Sequence, residues 1–385
     1  MMQINRLFLA VSAGKFVSVV GLLIMPVQVG AMLDGLQLGE AAIGLLATME
    51  FSALGVGLIF VAINPLKTSA LKYALIGTAL IVTGQIASAL ITTYGTLAAL
   101  RFIVGFGAGL ANAAATVTIA ANFKEPERTA GYAFGLVYLV GGVLYLASPY
   151  MTGYGYHKGV FLSLAAVVLV FIPLLFALPD TPLQKKKRAA VRQDAILSPV
   201  AILLFTAEIF LMIGMGAAWA FGERLGLAVN LTPGEIGFYF ACTMIASIIG
   251  SLFAGWLGTR VGRTLPFVVC TILVSVCCYF MANPGIAIVY VICLLSFQVF
   301  QAVFIPFLIG TGAALESSGR LSAAVVAVEI FSFGAGGLVG GAVVETFGLT
   351  AVGWLAVLGG IVAIPLLIMV CLPLDRQNSA TEVPG

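Results

Sequence analysis

Leu7–Lys15 reads LFLAVSAGK and Val200–Glu208 reads VAILLFTAE, and the offset of 193 positions that aligns them recurs along the chain. At that offset Ile43-Gly44 meets Ile236-Gly237, Gly57 meets Gly250 and Lys67 meets Arg260. A single offset that holds across two apolar segments and the basic loop after them is the trace of a duplicated membrane unit. The expectation is two pseudo-symmetric halves with a site between them.

Composition demands a membrane. Hydrophobic residues make up 61% of the 385 positions and charged ones only 9%, and a mean hydropathy of +1.15 leaves too little polar surface to clothe a water-soluble core. Twelve apolar blocks follow, each long enough to cross the hydrocarbon layer as a helix: Leu7 to Leu33, Ala41 to Ile63, Tyr73 to Ile91, Thr96 to Ala121, Ala130 to Met151, Gly159 to Leu178, Pro199 to Gly222, Glu235 to Gly258, Leu265 to Ala282, Ile286 to Ile309, Leu321 to Val344 and Ala351 to Leu372. The first is too long for the apolar region of a signal peptide and is read as a retained helix. The predicted fold is an all-α membrane protein: residues 1–180 form one six-helix bundle, 181–198 a cytoplasmic linker and 199–385 the second bundle.

Basic residues set the orientation, because short loops rich in Lys and Arg stay in the cytoplasm. With the N-terminus inside, Arg6, Lys67, Lys72, Lys124, Arg128, Arg260, Arg263, Arg320, Arg376 and the cluster Lys185–Arg188 with Arg192 share that side, while only Lys158 and Arg224 fall outside. Both termini are then cytoplasmic, in a bacterial inner membrane. The net charge of +3 reflects this asymmetry and gives no surface for nucleic acid. The six cysteines fall in apolar runs without metal-ligand spacing, which predicts small buried hydrophobes and no metal. His157, flanked by Tyr154 and Tyr156, reads as an interfacial residue. No nucleophile–base set, zinc motif or phosphate-cradling loop is present, so neither an enzyme nor a cofactor is expected.

Two motifs bring a family into view. Gly255-Trp256-Leu257-Gly258-Thr259-Arg260-Val261-Gly262-Arg263 follows the eighth span, and Arg101 with Gly105, Gly107 and Gly109 lies in the fourth. With the duplicated halves these resemble the major facilitator superfamily, whose loops after the second and eighth helices carry Gly-x-Leu-x-Asp-Arg-x-Gly-Arg and whose fourth helix carries Arg-x-x-x-Gly-x-Gly. The resemblance implies a secondary transporter, a gating role for Gly255, Arg260, Gly262 and Arg263, and a part for Arg101 in proton coupling. Thr259 stands where the motif has Asp, and the first-half copy, Ala62 to Leu71, keeps little beyond Lys67. On the fifth span the antiporter pattern Gly-x-x-x-Gly-Pro-x-x-Gly-Gly survives only as Gly131 and Gly135, with Leu136 for Pro and the glycine pair displaced to Gly141-Gly142. Helix packing is the plain reading of these small residues.

Charges inside spans cost several kcal/mol each and face a partner or a wet cavity. Five qualify: Lys15, Glu50, Arg101, Glu208 and Glu329. Lys15 and Arg101 are candidates to hold a carboxylate or phosphate of a substrate, and Glu50, Glu208 and Glu329, without an obvious basic neighbour in sequence, are candidates to carry the proton. Structural pairing of the five with one another is the alternative, Lys15 with Glu50 for instance, or Lys15 with Glu208 across the two halves. From Arg101 a polar stripe runs through Gly105, Ala108, Asn112 and Thr116 at spacings of three and four.

The resemblance implies that the first, fourth, seventh and tenth helices line the substrate cavity. Their polar and soft side chains are Lys15 and Ser18; Asn112; Met212, Met215 and Trp219; and Gln298 and Gln301. Tyr138 and Tyr145 add hydrogen-bonding edges from the fifth, with ordinary packing the alternative for the methionines and tyrosines. The expected partners are a small-molecule solute, protons and the bilayer, with the chain acting as a monomer. The expected function is proton-coupled transport of an organic anion or amphiphilic metabolite by alternating access. Efflux of cationic amphiphiles and a transporter-like sensor are the alternatives.

Overall fold

The computed structural model describes residues 2–63, 69–123, 126–180, 198–258, 260–316 and 320–381, so Lys67, Thr259 and the expected linker up to residue 197 lie outside the described residues. The helices are α1 (Met2–Leu23), α2 (Met25–Leu36), α3 (Glu40–Ile63), α4 (Ala70–Leu90), α5 (Tyr94–Asn122), α6 (Pro126–Gly153), α7 (His157–Leu175), α8 (Pro199–Ala220), α9 (Gly222–Ala228), α10 (Pro233–Leu257), α11 (Thr264–Ala282), α12 (Ala287–Leu315), α13 (Arg320–Phe347) and α14 (Val352–Thr381). Among the described residues twelve of these are long and apolar enough to cross a membrane, all but α2 and α9. The chain is an all-α, multi-pass integral membrane protein.

The first and seventh apolar blocks are each interrupted near their ends. Ile24 separates α1 from α2, where Pro26 lacks the N–H that an unbroken helix requires. Carbonyls at the break are then free to accept side-chain donors: Gln28 Nε2 donates to Gly21 O at 2.7 Å, and the Tyr145 hydroxyl donates to Leu23 O. Tyr145 is fully buried, so it braces a broken helix and offers no edge to a cavity. In the second half Phe221 separates α8 from α9, and the Tyr290 hydroxyl donates to Gly222 O at 2.7 Å.

Two compact units emerge, Met1–Arg188 with Pro233–Ala241, and Ala189–Thr232 with Cys242–Gly385. In the first, α5 packs against α3, α4 and α1, while α7 closes on α4 and α1. Glycines let the backbones meet: a Cβ on Gly57 would run into Phe106 O and Gly109 Cα, and one on Gly107 into Gly77 O. In the second unit, α8 packs against α13 and α14, and α11 against α14 and α12. The 193 offset appears here in three dimensions, because a Cβ on Gly250 would meet Val299 O and Ala302, the counterparts of Phe106 and Gly109 at that offset. His157 is 2% exposed, packed on Gly35 and edge-on to Phe161. This corrects the interfacial reading: the first residue of α7 turns into the bundle.

Candidate functional site

Arg101 and Glu50 form an ion pair inside the first unit. Guanidinium Nη1 lies 3.1 Å from Glu50 Oε2, Nη2 donates to Gln85 Oε1 at 3.1 Å and Ser88 Oγ at 2.6 Å, and the group sits 4.3 Å from the centroid of the Phe161 ring. Arg101 is 0% exposed. One turn on from it, Gly105 presses on the backbone of Glu50, and that close approach brings α3 within reach of the guanidinium. Arg101 therefore ties α3, α4, α5 and α7 together. For Glu50 this is the structural-pairing reading, with Arg101 and not Lys15 as the partner. Sequence inspection found both charges but not their pairing, because the residues lie 51 positions apart on helices whose packing glycines set the register.

Lys15 has a different setting. Its ammonium donates to Asn112 Oδ1 at 2.7 Å and Thr116 Oγ1 at 2.6 Å and stands 5.6 Å from the centroid of the Phe134 ring. Gly14, where an added Cβ would stand only 3.1 Å from the Ala115 methyl, lets α1 approach α5 closely enough for these bonds. Lys15 is 7% exposed, and among the described residues no carboxylate pairs with it. Three N–H donors meet two neutral acceptors, which leaves one donor for a further group. Around it Thr116 is exposed, Phe134 and Tyr138 are half-buried, and nothing lies within 4 Å of where a Cβ of Gly131 or Gly135 would stand. The packing reading of those two glycines is thereby corrected, since they border open space. Ser18 is buried, its hydroxyl donates to Lys15 O at 2.7 Å, and it lines a small internal cavity together with Glu50 and Gln85.

In the second unit Glu208 is 1% exposed, and neither of its carboxyl oxygens has a hydrogen-bond partner among the described residues. Half-buried Glu329 of α13 lies within its electrostatic range. Met212 and Met215 are 0% exposed, which makes them core contacts of α8 and corrects their assignment to a solute-lining surface. Trp219, also buried, stacks on Phe297 with ring centroids 6.4 Å apart. Gln298 and Gln301 are half-buried, and Gln298 Oε1 has no partner among the described residues.

The loop motif after α10 is held by a residue that sequence reading missed. Asp375 of α14 accepts from Arg263 N at 2.8 Å, Thr264 N at 2.9 Å and the Thr264 hydroxyl at 2.7 Å. Gly262, at φ +73°, leaves the room in which that carboxylate sits. Asp375 thus caps α11, which has no side-chain cap of its own, and puts a carboxylate beside a motif whose own acidic position is Thr259. In the first unit Asp180 accepts from the Ser69 hydroxyl at 2.6 Å, and Ser69 caps α4 through Lys72 N at 3.2 Å. Both acid–hydroxyl pairs repeat at an offset of 195, and that acid near the end of each half was the available signal. Arg260 is exposed, donating to Trp256 O at 2.8 Å beside the Trp256 ring, and Gly255 borders open space.

Among solved structures, a variant of the nucleoside transporter NupG superposes with a TM-score of 0.72 at 15% identity, over 94% of this chain and 98% of that one. The D-xylose-proton symporter superposes with a TM-score of 0.73 at 13% identity, over 95% and 97%. At these identities the likeness is one of fold. No curated protein sequence matches the chain. The family model described as Major Facilitator Superfamily matches residues 10–222 and again 204–385. With twelve spans, a duplicated architecture and a family model matched on both halves, the chain belongs to the Major Facilitator Superfamily and is a membrane transporter, not an enzyme.

Proposed function

We propose that this protein is a proton-coupled secondary transporter for small organic anions, working by alternating access between two six-span halves joined by residues 181–198. It acts as a monomer in a bacterial inner membrane with both termini cytoplasmic. Lys15 carries the reading. An ammonium removed from water and hydrogen-bonded only to neutral oxygens is incompletely compensated, and an anion that reaches its remaining N–H restores the balance. Arg101 is already neutralised by Glu50, so among the described residues Lys15 is the one buried cation of the first unit left to meet a solute, which favours a single carboxylate over a multiply charged phosphate. A second reading, proton-driven efflux of cationic amphiphiles, is favoured by Glu208, which has no basic partner among the described residues.

The test uses purified protein in proteoliposomes with an imposed proton gradient, offered labelled monocarboxylates, phosphate esters, neutral sugars and organic cations. Accumulation of a monocarboxylate, abolished by a protonophore and weakened at least about tenfold by Lys15→Ala, roughly 1.4 kcal/mol of binding, is the expected result. Proton-driven movement of organic cations with Lys15→Ala unaffected would replace it with the efflux reading.

A further inference from the structure

Among the described residues three carboxyl groups, Glu50, Glu208 and Glu329, lie well away from the ends of their spans, and their surroundings separate them. Glu50 is spent on Arg101. Glu208 is buried with both oxygens unpartnered among the described residues, a state in which an ionised carboxylate is very costly and a neutral acid is tolerated. Among the described residues the elements packed on α8 offer no compensating cation at its level. On α13 the nearest charged side chain is another acid, Glu329, on the face that carries Gly336 and Gly340 seven and eleven residues further on, and both glycines press on α8. Arg320 and Glu345 lie nine and sixteen positions from Glu329. On α14, Gly359 meets Phe210, and the only charged residues, Asp375 and Arg376, lie sixteen or more positions beyond that contact. The titratable groups of α11 are cysteines together with Tyr279 near its outer end, and Glu223 and Arg224 of α9 lie fifteen or more positions beyond Glu208.

We propose that Glu208 is the residue that takes up and releases the coupling proton, with Glu329 as a positioning residue whose own charge sets when Glu208 lets it go, and that Glu50 has no part in the step. This rests on the proton-coupled reading above. The carboxylate oxygen of Glu208 gains H⁺ from water on one side and returns it to water on the other, with no change of oxidation state.

The measurement is infrared difference spectroscopy of the purified, substrate-free protein titrated with acid and base, following the C=O stretch of protonated carboxyl groups. Glu208→Gln should remove one titrating band, Glu329→Gln should shift the midpoint of that band by about one pH unit, and Glu50→Asp should leave it in place. Glu208→Asp, which keeps the acid, should retain a titrating band, so a fold defect is told apart from loss of the proton site. A full set of bands in Glu208→Gln, or a midpoint indifferent to Glu329→Gln, overturns the assignment. Wild-type accumulation in proteoliposomes that ignores the proton gradient, with the Glu208 band present, overturns the coupled-transport reading instead.

Discussion

Arg101 and Glu50 show how a charge becomes affordable inside a membrane domain. Each alone is a cost of several kcal/mol, and together, with Gln85 and Ser88 accepting from the second guanidinium nitrogen, they become a clasp across three helices. Breaking one side leaves the other charge uncompensated, so Arg101→Ala or Glu50→Ala should destabilise the protein by about 3–5 kcal/mol. The result to look for is a large drop in the melting midpoint of detergent-purified protein. Arg101→Lys should rescue little, because an ammonium cannot reproduce the planar fork that meets Glu50, Gln85 and Ser88 at once. Melting curves for Lys15→Met should stay near wild type, since that side chain meets only neutral groups. A Lys15→Met variant as crippled as Arg101→Ala would make Lys15 structural. Reading charges in apolar spans was enough to find all five residues. It was not enough to tell clasp from site, because that difference lies in which neighbour each charge meets.

Helix ends and helix crossings make separate predictions. Asp375 supplies three bonds to the start of α11, where a carboxylate also complements the helix dipole. Its replacement by Ala should cost about 2 kcal/mol, above the roughly 1 kcal/mol of an ordinary cap. Asp180→Ala, which removes one bond to a Ser69 that still caps α4, should cost less. Equal melting midpoints for the two variants would remove the distinction. At the crossings, Gly57→Ala and Gly250→Ala force a methyl into facing backbone and should lower the yield of folded protein. Gly135→Ala points into open space and should be neutral, or slightly stabilising through better helix propensity. Equal losses at all three positions would contradict these contacts. Glycine spacing in the fourth span was legible beforehand, but which glycines press on a neighbour and which border a void was not, since both kinds look alike in a sequence.

At the scale of the molecule, the charge asymmetry of the loops makes the orientation a direct prediction. Reporter fusions after Gln193 and after Gln377 should both report the cytoplasm, because Lys185–Arg188 and Arg376 hold their neighbourhoods on that side. An extracytoplasmic signal at either position would reverse the proposed topology. Duplication sets the general plan, as the matched crossings of Gly57 and Gly250 illustrate. Within that plan the halves have diverged in chemistry. The position that is Lys15 in one, hydrogen-bonded to Asn112 and Thr116, is Glu208 in the other, buried without a partner among the described residues.

The amino-acid sequence alone determined the membrane class, the twelve spans, the internal repeat and the superfamily resemblance, because hydropathy, periodicity and motif spacing are local or additive properties that survive without coordinates. Tertiary structure alone decided which charge neutralises which, that Met212, Met215 and Tyr145 are packing residues, that Ser18 bonds its own helix, and that Asp375 anchors the loop motif. These depend on contacts between residues far apart in the chain. Such contacts are set by how closely two helix backbones approach and by their relative rotation, and a one-residue change in either would hand every partner to a different side chain.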